Sequence, residues 1–455
     1  MIPWKHQLQA MEFAQGRRGT LLAHGMASGK TYSALLIASL VKAKTILVLS
    51  PVSVIDGWAA EARKCFGRDV DVVELVKGTV AKKTDQARLA LARAGAVDKP
   101  VILILGHEAS WRPPFAQLAL STLWDLVVID EGHKLQAAGG KFGRFAAKLA
   151  LVAKKRLALT GTPFPNGPLS IYGLARFVDP TVFGTNYAKM RNRYAICTLD
   201  DWGVMRVDDY QRMDEFRQRY LTFAHEVRTD DVIDLPAEID MDRRVDLEPS
   251  AMSHYRRIKQ EMFTEIDQGF LTVANGAVKV GRLAQITGGH LPLNSDEEGE
   301  VVRISWAKQE ALEDLIESTD EPVVVFTRFR AELDIVEEVA NKLKRRYGEV
   351  SGRRKDLVDS KMPDTVDVMG VHPRAGGLGV DLKRAAICVF YSHSYSLTDY
   401  EQARARIRRP GQTRPCRYYA ILAKGTVDLT VQLALAAKKD VLVALFAGKL
   451  GVEEC

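Results

Sequence analysis

The sequence predicts an α/β fold in which two parallel-sheet halves flank a helical middle. Three observations carry that prediction. Strand-length apolar runs recur along roughly the first two hundred residues and resume after about residue 320. The runs are continuous rather than alternating, as expected of strands covered on both faces. The stretches between them are long enough for crossover helices.

The totals agree. A chain of 455 residues exceeds one ordinary core and suits two or three domains. Its 47% hydrophobic and 27% charged residues describe a soluble globular protein. No apolar run approaches a membrane span, and Met1-Ile2-Pro3-Trp4-Lys5-His6 holds no apolar signal region. The expected location is intracellular, in cytoplasm or nucleoid. Five scattered cysteines (Cys65, Cys197, Cys388, Cys416, Cys455) contain no C-x-x-C pair. That argues against a disulfide framework and against structural zinc. The net charge of +7 suits a polyanion partner, although a solvated basic surface gives the same balance.

In chain order, Thr20-Leu21-Leu22-Ala23 reads as a buried strand and residues 32–40 as a helix. Between them Ala23-His24-Gly25-Met26-Ala27-Ser28-Gly29-Lys30-Thr31 reads as a phosphate-binding loop. Gly29 lets successive N–H groups face phosphates, and the helix N-terminus adds partial positive charge. Lys30 reaches the β- and γ-phosphates, and the Thr31 hydroxyl serves Mg²⁺. The usual early glycine is displaced: His24 holds its place and Gly25 comes one residue late.

Further strands are expected at 45–49, 101–105, 126–129 and 156–159, with crossover helices such as 59–64 and 85–94. From about 170 to 228 the strand rhythm stops, and aromatic, Arg and Met residues at helical spacing predict a mostly helical insertion. Residues 232–238 read as a linker, 244–247 as a strand, 251–270 as a helix and 294–300 as an exposed turn. Strands resume at 322–326, 366–369, 387–391 and 416–421. The expected domains are 1–228 and 229–455, the second with a helical segment at about 247–290.

Ligands of parallel sheets sit at the carboxyl ends of strands, so the polar residues there matter most. Strand 126–129 ends in Asp130-Glu131-Gly132-His133. Asp130 can hold Mg²⁺, and Glu131 can orient and deprotonate an attacking water. Alone, an acidic strand-end pair is also a common solvated feature. Strand 156–159 ends in Thr160-Gly161-Thr162-Pro163. Thr160 and Thr162 are placed to sense a γ-phosphate and relay it, although a plain turn exit looks the same. Four arginines (Arg404, Arg406, Arg408, Arg409) crowd the stretch 400–412. Arginine suits a phosphoryl transition state, and a solvated basic helix is the alternative. Upstream, Arg374-Ala375-Gly376-Gly377-Leu378-Gly379-Val380-Asp381 is a glycine-rich turn that allows close backbone approach to a ligand.

Together these stretches resemble the superfamily-two helicase ATPases, and specifically the Swi/Snf-related DNA translocases. The resemblance runs over nearly the whole chain. His6-Gln7 is similar to the family's adenine-reading glutamine. The loop 25–31 matches a family loop that also lacks the early glycine. Residues 50–58, down to Trp58, resemble the first strand-contacting motif. Asp130-Glu131-Gly132-His133 resembles the Asp-Glu-x-His box, 159–163 the third motif, and 375–382 the fifth. Gln402 to Gln412 resembles the sixth and is the most specific match. The departures are His24-Gly25 in place of an acidic pair, Arg408-Arg409 in place of His-Arg, Asp381 in place of Asn, and a short segment after Gly352. They suit a compact, divergent member of viral or mobile-element origin.

The resemblance implies two RecA-like parallel-sheet domains in tandem, with helical insertions between them, using ATP and Mg²⁺. It assigns nucleotide binding to Gln7, Gly25, Ser28, Gly29, Lys30 and Thr31, with Gly379 and Asp381 from the second half. The metal falls to Thr31 and Asp130. Catalysis falls to Lys30 and Glu131, with Arg406 and Arg409 as arginine fingers, and coupling to Thr160, Thr162 and Gln402. The implied partner is DNA, duplex favoured, gripped by its phosphates and therefore sequence-independent and salt-sensitive. Candidate contacts are Ser50, Pro51, Gly106, His107, Thr327, Arg328, Arg374 and Gly376, with Lys82 and Lys83 as a basic patch. Each of these reads equally as a solvated loop residue. A monomer is expected. The leading function is double-stranded DNA translocation. A strand-separating helicase is the alternative, and the sequence shows no obvious wedge hairpin for it. An idle nucleic-acid adaptor is the third reading, and the intact Lys30, Asp130, Glu131, Arg406 and Arg409 speak against it.

Overall fold

The structure is a computed structural model that describes residues 2–137, 139–199, 205–267, 273–292, 301–372 and 380–447. The expected turn at 294–300 and the glycine-rich positions Arg374, Gly376 and Gly379 lie outside the described residues. The chain forms two compact units, Met1–Asp234 with Asp440–Cys455, and Leu235–Lys439.

The strands of the first unit are β1 (Gly19–His24), β2 (Thr45–Ser50), β3 (Asp71–Leu75), β4 (Val101–Gly106), β5 (Trp124–Ile129), β6 (Ala153–Leu159), β7 (Ala195–Leu199), β8 (Met205–Tyr210) and β9 (Ala224–Val227). Seven of them make one sheet in the order β3-β4-β2-β5-β6-β1-β9. Every pairing in it is parallel. The continuous apolar runs have a direct cause. Leu21, Leu47, Leu103 and Val127 enter the core on one face, and their neighbours Leu22, Val48, Ile104 and Val128 enter the core on the other. With both faces covered, the period of two in side-chain direction leaves no polar alternation to see.

The insertion at 170–228 is helical over most of its described residues, but it also carries strands that the sequence did not announce. Helices Tyr172–Val178, Tyr187–Tyr194 and Met213–Leu221 are interrupted by the antiparallel hairpin β7–β8, and the stretch ends in β9, which joins the sheet beside β1. The hairpin leaves Ile196, Leu199, Met205 and Val207 exposed, so no buried apolar run announces it.

The second unit holds β10 (Glu238–Val245), β11 (His290–Pro292), β12 (Val301–Arg303), β13 (Val323–Phe326), β14 (Tyr347–Val350), β15 (Val368–Val371), β16 (Ile387–Phe390) and β17 (Cys416–Ala423). Six of them form a second sheet, β10-β17-β16-β13-β15-β14, again parallel throughout. Strand β10 begins at Glu238, well before the expected 244. It is an edge strand with mostly exposed side chains, and its charged residues hide it from an apolar criterion. Helix Pro249–Asp267 lies close to the expected 251–270, and a second helix, Val273–Thr287, follows within the expected helical segment. The architecture is two RecA-like parallel-sheet domains in tandem. Among the described residues no helix is long and apolar enough to cross a membrane.

Candidate active site

Strand β1 delivers the phosphate loop, and helix Lys30–Leu40 carries it away. Gly29 caps that helix with φ +73°, a left-handed conformation that disfavours a side chain. A Cβ there would also fall 2.6 Å from Gln7 Nε2. Gln7 lies on helix Lys5–Ala14, and its amide donates to Gly29 O at 3.3 Å while accepting from Trp4 N at 2.8 Å. His6 Nε2 sits 2.9 Å from Ser28 O. The first helix is thus fastened to the loop by the dipeptide the sequence singled out. Ser28 Oγ donates to Gly25 O at 2.8 Å, which ties the loop to itself. Lys30 Nζ donates to His24 O at 3.1 Å and Gly25 O at 3.0 Å, so its ammonium folds over the loop. His24 is buried, with Nε2 2.9 Å from His225 Nδ1. Burial, then His225, Lys30 and His6, push its pKa down to about 2. The departure at His24 therefore places a neutral ring, not a charge, behind the loop.

The acidic pair leaves the end of β5. Asp130 is half-buried, and desolvation with the neighbouring Glu131 charge raises its pKa to about 6. Its Oδ2 accepts from Trp58 Nε1 at 2.8 Å and its Oδ1 from Glu131 N at 2.9 Å. Trp58 lies on helix Ile55–Phe66 with its indole buried against the sheet. Sequence placed it in a strand-contacting motif, and the structure aims it at the carboxylate expected to hold metal. Glu131 has φ +49°, uncommon for a residue with a side chain and characteristic of functional sites. His133 Nδ1 is 3.2 Å from Glu131 Oε2 and 3.2 Å from Thr160 Oγ1, and Thr160 Oγ1 accepts from Thr162 N at 3.1 Å. His133, to which the sequence assigned no role, lies between the expected base and the Thr160 hydroxyl, which in turn meets Thr162 N.

These residues fit a nucleotide and its cation. The left-handed glycine and the folded-back lysine make a cradle for phosphate. Two adjacent carboxyls, Glu131 buried and Asp130 half-buried with its proton affinity raised, are what a divalent ion would relieve. Among the described residues no group of three or more His, Cys, Asp or Glu could hold a metal alone. Mg²⁺ at Asp130 and Thr31 would take its remaining ligands from phosphate and water oxygens.

Two expected nucleic-acid contacts face inward. Ser50 and Thr327 are fully buried, so their hydroxyls are not presented to solvent. His107 Nε2 is 2.9 Å from Asp130 O and 3.2 Å from Leu49 O, and burial lowers its pKa to about 4. It is partly exposed and braces the backbone under the acidic pair. Pro51 and Arg328 are partly exposed and Lys82 is exposed.

In the second unit the arginine segment lies at the amino ends of β16 and β17. Leu382 N donates to Arg406 O at 3.0 Å, and the Arg409 guanidinium donates to Val380 O at 3.1 Å. Gln412 Nε2 donates to Lys383 O at 2.8 Å and Ala385 O at 2.9 Å. Asp381 Oδ1 accepts from Lys383 N at 3.1 Å, which fixes that carboxylate within its own turn.

Fold and site together define a phosphate-loop ATPase core of the helicase-like class. A family profile described as "SNF2-related domain" matches residues 6–287, and one described as "Helicase conserved C-terminal domain" matches residues 307–411. The chain belongs to the SNF2-related family. It is 24% identical to the CHD3-type chromatin-remodeling factor PICKLE of Arabidopsis thaliana over 98% of this chain and 34% of that protein. It is 24% identical to the DNA repair and recombination protein RAD54-like of Drosophila mojavensis over 96% of this chain and 62% of that protein. It thus spans less than two thirds of either. It is 27% identical to putative protein p41 of Acyrthosiphon pisum secondary endosymbiont phage 1, over 92% of each chain. A solved chain, the Sulfolobus solfataricus SWI2/SNF2 ATPase core in complex with dsDNA, aligns at TM-score 0.46 and 21% identity, over 99% of this chain and 94% of that one.

Proposed function

We propose that the chain is a motor that hydrolyses ATP to ADP and phosphate and moves along double-stranded DNA. The observation that carries this reading is one continuous catalytic set. The Lys30 loop is bound by Gln7, Lys30 acts electrostatically on Asp130, and Glu131 reaches Thr160 and Thr162 through His133.

Lys30, Thr31 and Asp130 hold the triphosphate and Mg²⁺, with Gln7 on the base. When bound, Mg²⁺ neutralises charge developing on the phosphoryl oxygens. Glu131 accepts the proton of the attacking water, and its fixed backbone and His133 hold it in place. Arg406 and Arg409 act as fingers that make hydrolysis conditional on domain closure. Such a finger contributes ~10³–10⁵ in rate. Gly379, Asp381 and Gln402 complete the second half of the site. The duplex contacts go chiefly to phosphates, through Pro51, Arg328, Arg374 and the backbone near Ser50, Thr327 and Gly376. The net charge of +7 suits that partner. The match to a phage protein over 92% of each chain supports a phage-type motor acting inside a host cell.

ATPase assays with duplex DNA, single-stranded DNA and RNA test the reading. Duplex is expected to stimulate most, and Lys30→Ala to abolish hydrolysis while DNA binding persists. Turnover indifferent to every polynucleotide, or a normal Lys30→Ala enzyme, would refute it. A strand-displacement assay is expected to show no unwinding. Unwinding would instead favour a strand-separating helicase, for which the exposed hairpin β7–β8 is the specific observation.

A further inference from the structure

The segment that joins the two units is fastened at both ends to catalytic elements. In the first unit the chain leaves through β9, beside β1 and the phosphate loop. Gly25 N donates to Val227 O at 2.7 Å, and Thr229 Oγ1 donates to Met26 O at 2.9 Å. There is no slack at that contact, because a Cβ on Gly25 would fall 2.2 Å from Thr229 Oγ1.

In the second unit the same segment arrives as β10. Pro236 O accepts from Arg408 Nε at 2.8 Å, and Ala237 O accepts from Cys416 N at 2.8 Å. Glu238 and Asp240 then bracket Arg404. Its guanidinium donates to Glu238 Oε2 at 2.8 Å, to Asp240 Oδ2 at 3.1 Å, to Tyr400 Oη at 2.8 Å and to Asp240 Oδ1. Arg404 is 2% exposed and lies 3.8 Å over the Tyr418 ring. A solvated helix arginine would show neither burial nor a forked grip on two carboxylates. The arginine segment therefore has two faces. Arg404 and Arg408 hold the connection, while Arg406 and Arg409 carry the finger assignment.

We propose that Arg404, with Glu238 and Asp240 as its receptor, is a positioning residue that sets the arginine fingers from the inter-unit connection, and that Thr229 anchors the other end of the same strap to the phosphate loop. The inference rests on the finger reading above. Arg406 follows Arg404 by two positions and Arg409 directly follows Arg408, so a shift of β10 displaces the fingers. A shift of the phosphate loop reaches them along the chain itself.

The test is duplex-stimulated ATPase on the full chain. Glu238→Gln with Asp240→Asn is expected to lower kcat about tenfold, leaving KM for ATP and duplex affinity within about twofold. Added to Arg409→Ala it should cost nothing more, because both act through one group. Arg404→Lys, which keeps the charge without the fork, should match the double variant. Losses that multiply in the Arg409→Ala background, or an unchanged kcat, would overturn the strap. A fully active Arg409→Ala enzyme would overturn the finger reading and the strap with it. Thr229→Val leaves the second unit untouched and guards against misfolding there. It should lower kcat at constant KM, and a wild-type kcat would overturn the proposal.

Discussion

Replacing Trp58 with Phe isolates what one indole N–H does for Asp130. The bond is 2.8 Å long and opposes the burial that raises the Asp130 pKa to about 6. A hydrogen bond to a charged group contributes about 1.5–3 kcal/mol, and about 1.4 kcal/mol corresponds to one pKa unit. The sign follows directly. The N–H stabilises the ionised carboxylate, so its loss raises the pKa, from about 6 to at least about 7. The ionised fraction then falls from about nine tenths to about one half at pH 7, and from about one half to about one tenth at pH 6. The expected ATPase defect at limiting Mg²⁺ is thus about twofold at pH 7, about fivefold at pH 6, and near zero at pH 8.5. Steady-state ATPase across pH at several Mg²⁺ concentrations measures this. A defect of equal size at every pH would refute the reasoning, since it would report lost packing and not a lost proton bond.

Three further perturbations separate the parts of the site. Glu131→Gln removes the like charge that helps raise Asp130, so the metal-binding carboxylate ionises at lower pH. Hydrolysis should vanish while Mg²⁺-dependent nucleotide binding, read by calorimetry, persists further into acid; an unmoved acid limit counts against it. His133→Ala and Thr160→Val should each cut stimulated kcat about tenfold with ATP affinity intact, and together cost no more than either alone, as one network requires. Fully additive losses would show two independent routes. Gly29→Ala forces a side chain into the left-handed region, at about 1–2 kcal/mol, and toward the Gln7 amide. Nucleotide affinity and the thermal midpoint should both drop, and an unchanged affinity would mean the loop does not need that glycine.

Much of this was legible because buried parallel strands and phosphate loops write themselves into local sequence. Residues 45–49 and 101–105 became β2 and β4, and Gly29-Lys30 landed at the head of a helix. What was not legible depends on partners far along the chain. His107 stands at the carboxyl end of β4, where a contact residue belongs, but its ring reaches Asp130 O, and only the sheet order brings those two together. Trp58 and Asp130 meet for the same reason. The edge strand β3, most of β10 and the hairpin β7–β8 were missed because strands wet on one or both faces need no continuous apolar run, and β14 was missed because Gly348 and Glu349 interrupt its apolar run although it is buried. The four arginines at 404–409 share one chemistry, and nothing local tells which face the first strand of the second unit.

The pairing of β10 with β17 has a bearing on how the molecule is made. Arg404 lies 164 positions beyond its partner Asp240. As the nascent chain emerges, the phosphate loop can settle long before that carboxylate finds its cation. The nucleotide cradle is an early product of synthesis and the arginine mount a late one. A chain interrupted between them would carry the cradle without the arginine mount.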